Sequence, residues 1–227
     1  MTTRSVHTVL PCVLAALSVG TLHAAEPKAA HAVTVLENDR GVVVDTGAIV
    51  VTVPKTWGAG ISAVTRGDQE VFRATPTDGP SCEDASGARC RAALDKTPAI
   101  AIEEAGPDRA VVRVEARSLD REPGPDDVPL APTDAPARNV LVYTFEADSA
   151  QVRLSWTFTP PQALPAGSFA HAAIRFGSGA APVVTILDEG ALRQEEPGYY
   201  RLRPVAGEAV AGPRTCELSL DFGPGPE

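Results

Sequence analysis

The chain has 227 residues with 29 acidic against 20 basic side chains, a formal net charge of −9. Nucleic acid and anionic membranes are held by basic faces, so that surplus argues against both as partners. A hydrophobic share of 44% is enough to fill one core at this length and calls for no second domain.

Residues 2–25 begin with one cation, Arg4, run apolar from Val9 to Leu22 and end in small residues at Ala24 and Ala25. This is the pattern of a secretory signal peptide, too short and too weakly flanked for a permanent span. Pro11 and Gly20 disfavour the alternative of a buried helix, and Cys12 is not preceded by the small residues of a lipid-attachment site. No later segment is long and apolar enough to cross a bilayer. The expectation is an exported protein, periplasmic or extracellular. Residues 26–222 would form one β domain, and the Pro/Gly stretch 223–227 a frayed tail.

From Val33 to Val53 two β-branched runs flank a polar turn holding Asn38, Asp39 and Gly41, which predicts a hairpin. The same stretch contains Asp45-Thr46-Gly47, a triplet known from acid proteases. Further short runs follow at 99–102, 110–116, 140–145, 152–158, 169–176, 183–187 and 216–222. Windows with helical spacing are broken by Pro or Gly, so the fold class is all-β, a barrel or a barrel-like sandwich. The phase is explicit in 151–159, where Val152, Leu154, Trp156 and Phe158 share one face and Trp156 is a core anchor. Residues 119–138 hold five prolines and Gly124, which predicts a long exposed connection between strands.

Once the signal is removed, Cys82, Cys90 and Cys216 remain. Cys82 and Cys90 bracket a polar loop and are the expected disulfide, while Cys216 is the odd thiol in a buried strand. His31 and His171 are the only histidines left, too few and too scattered for a metal site. No cofactor is implied.

Four strings taken in order, VLENDRGVVVDTGAIVVTVPK, AVTRGDQEVF, AIEEAGPDRAVVRVEARSLD and NVLVYTFEADSAQVRLSWTFTP, resemble the N-terminal domain of the exo-rhamnogalacturonan lyase (YetA-like) family. The resemblance covers about residues 33–160. It implies a RIFT-type barrel in a carbohydrate-related setting, because in that family the lyase chemistry belongs to a later β-sandwich and α/α toroid. This sequence holds neither, and Trp156 stands where family members carry a histidine. No catalytic residue is therefore carried over, and a separate catalytic chain becomes a candidate partner.

Three kinds of chemistry remain to be weighed. An acid protease needs two Asp-Thr/Ser-Gly loops sharing a proton. Here the triplet occurs once, and a backbone turn is the simpler reading. A lyase needs a tuned base and a cation, for which His171 and Arg175 are the only pair in view. Carbohydrate binding has the best support: if 199–203 is a strand, Tyr199, Arg201 and Arg203 share a face, an aromatic platform beside guanidinium forks. Trp57 is the candidate second platform. A scaffold contacting another protein through a strand edge is the competing non-enzymatic reading.

Overall fold

The computed structural model describes residues 31–84, 89–119, 137–160, 169–177, 182–188, 192–202 and 213–223. The expected signal peptide, the proline-rich connection 120–136 and residues 224–227 lie outside the described residues.

The first sheet contains β1 (Thr34–Asn38), β2 (Gly41–Asp45), β3 (Val50–Pro54), β4 (Ala63–Arg66) and β5 (Gln69–Arg73), joined in sequence order. Asn38 sets the first turn by accepting the N–H groups of Arg40 and Gly41 on its side-chain oxygen. β3 starts at Val50, later than the apolar run, because residues 46–49 form the turn. Next come β6 (Gly79–Asp84), β7 (Arg89–Arg91), one 3-10 turn (Ala92–Leu94), β8 (Ala99–Ala105), β9 (Arg109–Arg117), β10 (Arg138–Glu146) and β11 (Gln151–Thr159). The last five are β12 (Phe169–Arg175), β13 (Val183–Ile186), β14 (Leu192–Glu196), β15 (Tyr199–Leu202) and β16 (Arg214–Asp221).

The second sheet has the order β13-β16-β11-β10-β9-β8 and the third the order β14-β15-β12-β6-β7. Every pairing is antiparallel. The all-β class is thus established. Each sheet keeps two edges among the described residues, so the architecture is a sandwich-like stack of open sheets and no closed barrel forms. Bulges and charge blunt these edges: β8 shifts register between Ile102 and Glu104, and β14 between Gln194 and Glu196.

One core joins the three sheets, with Val42, Val44 and Val64 from the first, Tyr143, Leu154, Trp156 and Leu218 from the second, and Ile174 and Tyr200 from the third. The alternation expected in β11 is present, and Trp156 has no exposed surface. Its indole N–H donates to Asn139 Oδ1 at 3.1 Å, and Asn139 donates onward to Ser118 Oγ at 2.9 Å, so the buried polar atoms are satisfied. Gly60 lets the β3–β4 loop close on this core, because a Cβ there would lie 2.0 Å from the Tyr143 hydroxyl. Cys216 is buried as expected, its thiol donating to the Trp156 carbonyl at 3.6 Å. Burial, with help from Glu217 and Asp188, pushes that thiol up to about 12.

Candidate functional site

In an antiparallel sheet directly opposed residues share a face, so the third sheet's outer surface follows from its register. One row crosses all five strands as Arg193, Arg201, Ala173, Ser81 and Arg91. The next row reads Glu196, Tyr199, Arg175 and Gly79, and on the other side Glu83 opposes Arg89. In β15 Tyr199 and Arg201 are half-buried while Tyr200 and Leu202 are buried, the alternation that places the first two together on the outer face. An acidic protein thus gathers five arginines, Arg89, Arg91, Arg175, Arg193 and Arg201, on one sheet face.

Some of these charges are balanced locally. Arg89 Nε lies 2.7 Å from Glu83, and Arg175 reaches Glu196 at 4.0 Å. The Arg175 guanidinium also stacks on Tyr199, 4.8 Å from the ring centroid, a cation–π contact that fixes both side chains. Arg91, Arg193 and Arg201 have no acidic partner among the described residues. Arg201 Nε is buried without a hydrogen-bond acceptor, and Arg193 is directly opposite, a like-charge pair that costs stability.

Of the residues singled out from the sequence, Tyr199 and Arg201 come together here, and Arg203 lies outside the described residues. Trp57 is half-buried in the β3–β4 loop, at the margin of the second sheet: its neighbour Gly58 donates to the Asp95 carbonyl at 2.9 Å and packs on Ala116. Arg91, Arg175 and Arg193 were not among the sugar-site candidates. Their signal was partial, a charge at every second position in Arg89-Cys90-Arg91 and again in Arg201-Leu202-Arg203, and only the register of distant strands joins them.

Cys82 and Cys90, the expected disulfide, stand directly opposite each other in the β6/β7 pair as thiols on the inner face. A hydrogen bond to Cys90, together with burial, holds the Cys82 proton well above the ordinary thiol range.

The Asp45-Thr46-Gly47 triplet is a structural turn. Asp45 Oδ1 accepts the Gly47 N–H at 2.8 Å, and the buried Thr46 hydroxyl accepts the Ile49 N–H at 3.1 Å and donates to the Ser149 carbonyl at 2.8 Å. Gly47 takes φ 86°, a conformation that side-chain-bearing residues rarely adopt. His171 opposes Glu83 in register four positions from Arg175. Among the described residues no group of three or more His, Cys, Asp or Glu is arranged to hold a metal ion, and no helix is long and apolar enough to cross a membrane.

A second feature lies on the outer face of the six-stranded sheet, a recess of about 400 Å³ lined by Asp95, Ala99, Arg113, Glu115, Arg117 and Arg138 among others. Asp95, 1% exposed, accepts the Arg117 backbone N–H at 2.8 Å, its Nε at 3.2 Å and its Nη2 at 2.9 Å. Burial alone would raise the Asp95 carboxyl, but the Arg117 and Thr97 donors outweigh it and hold it below the ordinary carboxylate value.

No protein-family model matches this chain, and no curated protein matches it in sequence.

Proposed function

We propose that this protein is an exported, non-catalytic β module that binds acidic carbohydrate through the outer face of the third sheet, accessory to degradation of polysaccharide of the rhamnogalacturonan type. The observation that carries this reading is the Tyr199–Arg175 stack beside Arg201 in a row of guanidinium groups. An aromatic ring offers a platform for a sugar face, and planar forks match a carboxylate two bonds at a time.

The chain's net charge of −9 opposes long polyanions at a distance, so short acidic segments suit the local arginines better than whole polymers. A stand-alone protease is disfavoured, since Asp45 spends one carboxylate oxygen on the turn that it builds. The test is binding to an array of neutral and acidic glycans. Acidic glycans are expected to bind, with affinity lowered about tenfold or more in Tyr199→Ala and in Arg201→Ala. Binding indifferent to both substitutions removes this site.

One observation favours a second reading, a scaffold that pairs with another chain: β1 is an edge strand and its Leu36 is 69% exposed. Loss of partner capture on Leu36→Lys, with glycan binding intact, would select it.

A further inference from the structure

We infer that the recess on the outer face of the six-stranded sheet is a second binding site, one that takes a small organic carboxylate between Arg138 and Arg117. It lies on a different sheet from the arginine rows and does not rest on the carbohydrate reading.

The register puts Thr159, Arg138 and Arg117 in one line across β11, β10 and β9, so two guanidinium groups project side by side. Directly opposed like charges destabilise a sheet, and the fold answers only half of the problem. Asp95 neutralises Arg117 and, with Thr97 Oγ1 accepting Nη2 at 3.2 Å, fixes its orientation. An arginine has five N–H donors. The contacts to Asp95 and Thr97 use Nε and Nη2 and do not engage Nη1. Arg138 is exposed and has no acidic partner among the described residues.

The opposite end of the recess is already balanced. Arg113 Nε bonds Glu115 at 2.9 Å, and its Nη1 lies 3.8 Å from Glu103. In the row next to Arg117 and Arg138 the register sets Ala99 and Val140 on either side of Glu115, so apolar surface flanks the carboxylate that Arg113 holds. The volume of about 400 Å³ is in the range of small-molecule sites.

The charge of the lining selects the ligand. Arg117 is paired with Asp95, and Arg113 with Glu115 and Glu103, so Arg138 is the lining guanidinium left without an acidic partner among the described residues, which suits one carboxylate. A doubly charged phosphate would meet Glu115 as well. The Arg138 fork takes the carboxylate bidentately, Arg117 Nη1 offers a donor already held in place, and the Thr159 hydroxyl stands next in the row for a ligand hydroxyl.

The test is calorimetric titration of the full chain with D-gluconate, inorganic phosphate and neutral D-glucose. Gluconate is expected to bind, phosphate more weakly and glucose not at all. Arg138→Ala should weaken gluconate about tenfold or more, and Arg138→Lys, which keeps charge but loses the fork, by less. Thermal unfolding of Arg138→Ala at or above that of the parent shows that the fold is intact, since the substitution relieves a like-charge pair. Tyr199→Ala and Arg201→Ala should leave gluconate binding unchanged, which separates this site from the arginine rows. No gluconate binding up to about 10 mM, equal binding by Arg138→Ala, or phosphate binding tighter than gluconate overturns the assignment.

Discussion

Strands β9, β10 and β11 each run nine residues, and the β9/β10 and β10/β11 pairs keep one register throughout. In the third sheet β6, β12, β14 and β15 run from four to seven residues, and both the β12/β6 and the β14/β15 pairs shift register. The first region contributes the largest fully buried side chains, Trp156, Tyr143, Phe145 and Phe158. The second opposes Arg193 to Arg201 and leaves a buried guanidinium nitrogen without an acceptor. The contrast teaches that stability and display are divided between the sheets: regular pairing over an aromatic core tolerates unfavourable charge on a neighbour that shares that core.

Trp156→Ala strikes the stabilising region hardest, removing a fully buried ring and stranding Asn139. It is expected to cost about 3–5 kcal/mol in urea unfolding, whereas Tyr199→Ala should cost under about 1 kcal/mol. Similar losses from the two would end the division. Asp95→Asn should cost about 3 kcal/mol, because the Arg117 side chain loses its charged partner. The folded carboxyl is held low, so its contribution is complete above the unfolded value of about 3.9 and is lost as pH falls through the folded one. The parent should therefore lose stability in that acidic window, and Asp95→Asn should lack this component when both are melted as a function of pH.

A gain in stability sharpens the display side. Cys82 and Cys90 face each other across one pair of strands, and oxidation by a disulfide reagent would join their sulfurs while the reagent takes up two electrons and the protons leave. Closing so short a ring is expected to add about 2–3 kcal/mol, absent in Cys90→Ser and reversed by dithiothreitol. Peptide mapping that finds both thiols free after oxidation rules out the bridge.

Legibility in the sequence followed the same division. β11 and β16 were readable because alternation over seven residues fixes the period, and β9 and β10 because β-branched and aromatic residues fill runs of six or seven. β4, β5, β6, β7 and β14 are short and polar, and β6 contains Pro80, which discouraged a strand assignment. Pro80 lies just beyond the β7 pairing, which covers Ser81, Cys82 and Glu83, and opposes Ile174 of β12 on its other side. Tyr199 and Arg201 were legible from spacing within one strand. Arg193 and Arg91 were not, since they become their neighbours only through pairing with β14 and, across β12 and β6, with β7. The Asp95–Arg117 contact spans 22 positions, beyond any local pattern. Barrel and barrel-like sandwich were both open from the strand runs, the barrel being what the family resemblance implied; closure depends on how edges meet, and among the described residues the bulged, charged β8 and β14 leave their edges unpaired.

On either side of the proline-rich segment 120–136, the Ser118 N–H donates to the Ala137 carbonyl at 2.7 Å, and Leu119 bridges to Arg91. The residues flanking that segment are thereby clasped to each other, and doubling the length of a chain segment between two clasped ends adds only about 0.6 kcal/mol of entropy. The position is a natural splice point, where an epitope, a reporter or an entire guest domain can be grafted while the two flanking strands stay clasped.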